Sequence, residues 1–127
     1  MCGENVLSAL AGPGGELARA KEAVAGRLRG IDPADFSALR QAYDAFAEKD
    51  PTPRIATESE IHLNGVKCLG LLPQGGSGDH VIFWCHGGGF TIGSIQTHNV
   101  LCRELARIGQ CAVISVDYRL APEHRFP

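Results

Sequence analysis

The chain has 127 residues, 44% hydrophobic and 20% charged, with a formal net charge of −2, the make-up of one small globular domain able to bury a core. That balance, without any cluster of lysine and arginine, argues against nucleic acid or an anionic membrane as the main partner, since both are held by dense positive charge. Five cysteines, Cys2, Cys68, Cys85, Cys102 and Cys111, form an odd set with no CxxC or Cys/His ligand spacing, so reduced structural thiols are expected rather than a disulfide scaffold or a metal site.

Met1 to Leu10 lacks the basic and continuously apolar regions of a secretory signal, and no stretch reaches the roughly 20 apolar residues of a membrane helix. With reduced thiols, a cytoplasmic location without a stable membrane anchor is expected. A first helix is predicted from about Gly15 to Arg29, with Leu17, Val24 and Leu28 on one side and Gly30 placed to stop it. A second begins at Asp32-Pro33-Ala34-Asp35, where Asp32 suits the cap, Pro33 the first turn and Asp35 the positive end of the dipole. Phe36, Leu39, Tyr43 and Phe46 then form one apolar stripe, expected to pack against a neighbour rather than hold a cofactor.

Asp50-Pro51-Thr52-Pro53 breaks the helical period and reads as a linker, dividing a helical arm (1–53) from a β-rich body (54–127). Ile55 to Leu63 and Val66 to Leu72 predict a hairpin turning at Asn64-Gly65. Pro73 to Asp79 reads as a flexible surface loop. The apolar run His80 to Cys85, glycines, a helix from Ser94 to Ile108 marked by Leu101, Leu105 and Ile108, and the apolar run Cys111 to Val116 then follow. Strand, loop, helix, strand with apolar runs predicts a βαβ crossover in a mainly parallel sheet, hence the α/β class. Gly109 is placed to close the helix.

His86-Gly87-Gly88-Gly89-Phe90 leaves the carboxyl end of a buried strand, where ligands bind in open α/β sheets. Consecutive glycines permit close backbone approach and can aim N–H groups at one point, as an oxyanion requires, yet glycines alone favour the plainer reading of a turn that merely needs small residues. Two phosphate-binding alternatives fail. Ser94 stands where a P-loop lysine belongs, and Ile92 stands where a dinucleotide fingerprint needs its third glycine.

His86 to Phe90 closely matches the HGGG motif of lipases and esterases, and Val116-Asp117-Tyr118-Arg119-Leu120-Ala121-Pro122-Glu123-His124-Arg125-Phe126-Pro127 resembles the second signature segment of the hormone-sensitive-lipase-like family. The resemblance covers Thr57 to Pro127, with the helical arm more loosely similar to the family's cap region. It implies a partial α/β-hydrolase fold in which Gly88 and Gly89 supply oxyanion-hole N–H groups. Gly87 would then be conformational and His86 a brace for the loop rather than a general base. Asp117, Arg119 and Glu123 are implied to form a buried polar network behind the following loop, with no cofactor and no metal.

Ser94 and Thr97 read as helix caps, His62 and His98 as surface residues, and Ser77 misses the nucleophile pattern because Asp79 replaces its last glycine. The resemblance places the nucleophilic serine, the acid and the base histidine on later segments, none of which is in this sequence. The expectation is therefore the N-terminal part of a serine carboxylic-ester hydrolase, inactive alone, marginal as a monomer because the Val81 to Cys85 strand lacks a neighbour, with an ester as substrate once completed. A homodimer or a complementing C-terminal half is the expected protein partner. Two other outcomes remain: a non-catalytic small-molecule-binding module derived from the same fold, as in the plant gibberellin receptors that resemble this family, and a remnant without a stable fold.

Overall fold

A computed structural model describes residues 15–45, 47 and 57–126. Two helices, α1 (Glu16–Leu28) and α2 (Phe36–Asp44), precede strands β1 (Thr57–Leu63), β2 (Val66–Leu72) and β3 (Ser77–Cys85), helix α3 (Ile95–Gly109) and strand β4 (Cys111–Val116). Phe46 and the Asp50 to Pro53 segment lie outside the described residues. The strands form one sheet in the order β1-β2-β4-β3. Only β3 and β4, joined through α3, run parallel, and the other two pairings are antiparallel. The α/β class is as expected, and the sheet of the described residues is mixed.

Helix boundaries follow local chemistry. Gly30, at φ +82°, lies just past α1, but that helix buries no residue, and Leu17 and Val24 stay exposed. The cap of α2 falls at Asp35, whose carboxylate accepts from the Ala38 N–H at 2.9 Å, not at Asp32 as the sequence suggested. Asp32 instead accepts from the Ala34 N–H at 2.8 Å. An aspartate bonded to backbone two residues on closes a turn and so postpones the helix. In α3, Ser94 and Thr97 form the reciprocal cap expected of them, a motif that satisfies two orphan donors at once.

The hairpin has its two-residue turn at Asn64 and Gly65, both with positive φ. Beyond it the loop is shorter than expected: Ser77 already pairs alongside β4, with a register shift before Val81. The left-handed residue ending α3 is Gln110 rather than Gly109, and its carbonyl accepts from the Ser77 N–H at 3.1 Å.

One face of the sheet meets α3. Leu71, Cys102, Ala106 and Val113 form the buried centre, with Leu69, Ile82, Trp84 and Leu105 packed around it. The apolar spacing in α3 points elsewhere, since Leu101 is 43% and Ile108 71% exposed. Small residues explain the difference: Cys102 and Ala106, one turn apart, let the helix axis approach the strands, and the longer side chains are left on the flanks. On β3, at the sheet edge, Val81 and Phe83 face outward, 51% and 60% exposed.

A fork-to-fork pair fastens β1 to α3. Arg103 donates through Nε and a terminal nitrogen to the two carboxylate oxygens of Glu58, at 2.9 and 3.1 Å, with side chains only 11% and 16% exposed. Two parallel charge-assisted bonds fix orientation as well as distance. Removing one partner leaves the other charge in a largely dry site, so Glu58→Gln is expected to destabilise the chain by about 2–3 kcal/mol. A urea melt of the two proteins checks it, with the lowered midpoint arising at unchanged slope.

Candidate active site

At the carboxyl end of β3 the chain turns through residues 86–93 and enters α3. Two carbonyls in this turn are held. His86 Nδ1 donates to the Gly87 carbonyl at 2.9 Å; since a carbonyl only accepts, the ring proton is placed on Nδ1. The Gly88 carbonyl accepts from the Thr91 N–H at 3.1 Å, the Ile92 N–H at 3.0 Å and the Thr91 hydroxyl at 3.3 Å.

A trans peptide is planar, so a carbonyl and the next N–H point in opposite directions. Fixing the Gly87 carbonyl therefore fixes the Gly88 N–H, and fixing the Gly88 carbonyl fixes the Gly89 N–H. Neither of these two N–H groups donates to any described residue. They are oriented donors left without an internal acceptor, an arrangement able to hold an anionic or developing oxyanion oxygen.

The turn needs its glycines at two places in particular. Gly88 has φ +131°, and a Cβ there would collide with the Ile92 carbonyl. A Cβ on Gly93, at φ +91°, would run into the Gly87 carbonyl and the His86 ring that holds it. Phe90 takes φ +62° without being glycine, a conformation that costs about 1–3 kcal/mol and persists only where surroundings impose it. Here the Phe90 carbonyl is tied by the Ala121 N–H at 2.8 Å. The Phe90 ring stays 74% exposed.

His86 is 3% exposed and stacks on Tyr118 with ring centroids 4.3 Å apart. The Tyr118 hydroxyl donates to the His86 carbonyl at 2.5 Å, and burial raises its pKa, so it remains a donor at neutral pH. Sequence patterns did not single out Tyr118, although it lies inside the second signature segment. His98, expected at the surface, is partly buried between Trp84 and His86. Burial first, and the neighbouring His86 second, lower its pKa, which favours the neutral ring.

Asp117, Arg119 and Glu123 do not form the buried network that was expected, because all three side chains are exposed. Asp117 and Arg119 border an open cleft of about 1220 Å³ that also reaches Val66, Gly89, Phe90 and Phe126. Glu123 takes its partner from far away in sequence. Arg40 on α2 donates to both Glu123 oxygens, at 2.9 and 2.8 Å, and also to the Ala121 carbonyl and the Thr91 carbonyl, each at 2.8 Å. Its one sequence signal is a long cation flanking the Phe36, Leu39, Tyr43 stripe. Among the described residues no group of three or more His, Cys, Asp and Glu side chains could hold a metal ion, and no helix is long and apolar enough to cross a membrane.

The chain is similar to several known proteins. A family model described as alpha/beta hydrolase fold matches residues 82–127, the span of both loops. The carboxylic ester hydrolase LipN of Mycobacterium tuberculosis is 36% identical over an aligned length of 98, with 73% of this chain and 26% of LipN covered. A crystal structure of an esterase from the bacterial hormone-sensitive lipase family superposes with a TM-score of 0.77 at 32% identity, over 87% of this chain and 37% of that one. A Pyrobaculum calidifontis esterase gives 0.66 at 34% identity, over 73% and 33%. The chain thus spans 26–37% of the length of these relatives.

Hydrogen bonding from Arg40 is the main cause that lowers the Glu123 pKa from 4.5 to about 2, with its own backbone N–H second. A depressed carboxylate pKa means that the pair contributes fully above the unfolded value near 4.5 and that its contribution is lost progressively as pH falls from there through about 2. Side-chain carbon NMR of Glu123 should therefore show a midpoint near 2, returning toward 4.5 in Arg40→Gln. A midpoint near 4.5 in the unaltered chain would break the assignment of the pair.

Proposed function

We infer, since this chain belongs to the hormone-sensitive-lipase-like esterase family of the α/β-hydrolase superfamily, that it supplies the oxyanion hole of a serine carboxylic-ester hydrolase. The observation that carries this is the pair of held carbonyls, at Gly87 and Gly88, whose opposite ends are the uncommitted N–H groups of Gly88 and Gly89.

An ester carbonyl entering the cleft beside Gly89 would place its oxygen against these two donors. When a serine hydroxyl attacks the carbonyl carbon and gives its proton to a base on the complementing segment, the C–O double bond becomes a single bond and its electron pair settles on that oxygen. Fixed amides aimed there stabilise the charge without reorganising. His86, with its proton on the loop side, braces the turn and is not the general base. A third donor is expected from the residue after the nucleophile.

The 127 residues hold no Gly-x-Ser-x-Gly segment, and an oxyanion hole without a nucleophile forms no acyl-enzyme. We read residues 1–53 as an arm covering the site and 54–127 as the first part of the catalytic domain. The ester substrate and a complementing segment that carries the serine are the proposed partners, in the cytoplasm. The outward Val81 and Phe83 side chains on edge strand β3 offer that segment an apolar seat.

The purified chain is expected to show neither burst nor turnover with p-nitrophenyl esters, whereas the chain joined to or mixed with a serine-bearing segment of the family turns them over. In that active form, glycolic acid in place of Gly89, which exchanges one N–H for oxygen and keeps the backbone path, should cut kcat by about 10²–10³. Turnover by the chain alone, or indifference to the missing N–H, overturns the proposal. Ligand binding with no turnover in the completed protein would favour a binding module instead.

A further inference from the structure

The oxyanion turn is held from a direction that its own sequence does not contain. Arg40 lies on α2, and its guanidinium ends at three points: the Thr91 carbonyl, the Ala121 carbonyl and both oxygens of Glu123. One helical turn later, Asp44 accepts from the Ser94 hydroxyl at 2.8 Å. Residues four apart on a helix share a face, so one face of α2 grips the exit of the glycine turn at Thr91 and again at the cap of α3.

Thr91 is where this grip meets the chemistry. Its carbonyl accepts from Arg40, while its N–H and hydroxyl donate to the Gly88 carbonyl. That carbonyl is the other end of the peptide plane bearing the Gly89 N–H. A continuous path therefore runs from the guanidinium to the donor: Arg40 holds Thr91, Thr91 holds the Gly88 carbonyl, and the plane aims Gly89. The second loop is joined to the same fork through Ala121, whose N–H holds the Phe90 carbonyl. Only a planar guanidinium with several fixed N–H donors can serve a carboxylate and two carbonyls together.

We propose that Arg40 is a positioning residue through which the N-terminal helical arm sets the direction of the Gly89 N–H, so that docking of α2 and assembly of the oxyanion site are a single event. The inference rests on Gly89 being an oxyanion donor. An arm that covers the substrate and also completes the site would couple the two: a chain with its arm displaced would present a slack turn and a weak oxyanion hole.

The test uses the unaltered chain, Arg40→Gln, Arg40→Lys, Glu123→Gln and, as control, Ser37→Ala, an exposed residue of α2. Backbone 15N relaxation reads the Gly89 N–H, which should fall from a rigid order parameter of about 0.85 to below about 0.6 in Arg40→Gln. Amide exchange at Thr91 and Ile92 should quicken at least tenfold, with Val113 in the core unchanged as proof that the variant is folded. Arg40→Lys, which keeps the charge but not the fork, should recover only part of the loss, and Glu123→Gln should resemble it. In the serine-completed chain, Arg40→Gln should lower kcat at least about tenfold with KM little changed, as expected when only the transition state feels the change.

Gly89 as rigid in Arg40→Gln as in the unaltered chain overturns the proposal, whatever the activity. Full kcat in that variant, in a protein that the Gly89 glycolate exchange does cripple, also overturns it and leaves the oxyanion assignment standing. A loosened Gly89 in a completed protein that never turns over an ester supports the path from Arg40 and overturns only the esterase reading.

Discussion

The structure depends on the planarity of two successive peptide units, Gly87–Gly88 and Gly88–Gly89. Backbone N–H groups have no rotor of their own, so the one way to aim them is to hold the carbonyl on the far side of the same plane. His86 does this for the first plane and the Thr91 and Ile92 amides do it for the second. Everything nearby follows from keeping those carbonyls engaged. Gly93 lacks a Cβ because the His86 to Gly87 bond fills that space, Gly88 lacks one because the Ile92 backbone does, and Tyr118 stacks on His86 and holds its carbonyl.

A phenylalanine held at φ +62° is locally unfavourable, and a conformation of this kind persists only when its surroundings over-determine it. The support comes from separated parts of the sequence. The β3 strand is locked into the sheet by β4 and by the α3 face, α3 starts at a reciprocal cap directly after the turn, and the loop after β4 returns to the Phe90 carbonyl. The strain sits in the turn while the stabilising packing sits in the sheet.

Much of this was legible in the residues, and what was not has a common cause. Strand and helix order, the Asn64-Gly65 hairpin, the Ser94 cap and β4 from Cys111 to Val116 are written in short-range patterns, and the structure reproduces them. The two loops lie where the resemblance placed them, at the ends of β3 and β4. Failures came where a distant partner decides. Leu101 and Ile108 had the right spacing for a buried stripe, but the approach of α3 to the sheet is governed by Cys102 and Ala106. Asp117 and Arg119 have the chemistry of an internal network and stand at an open cleft. His98 looked unpartnered because Trp84 and His86 reach it only through the fold.

Arg40 is the sharpest instance, since its contacts lie 51 to 83 positions away. On α2 it reads as an ordinary exposed cation, and nothing in a helical period distinguishes a solvated arginine from one that ends on two carbonyls and a carboxylate. The distinction has a physical consequence for how the site is divided along the chain. Donors on one segment and a nucleophile on another can cooperate only if each is held independently of the other, because an oxyanion hole that waits for its partner to order it would spend binding energy on assembly rather than on the transition state. The held carbonyls and the grip of α2 give the turn supports that lie within this chain. Under the proposed oxyanion role the turn is a pre-set part of the site, and the N-terminal arm is the part that sets it.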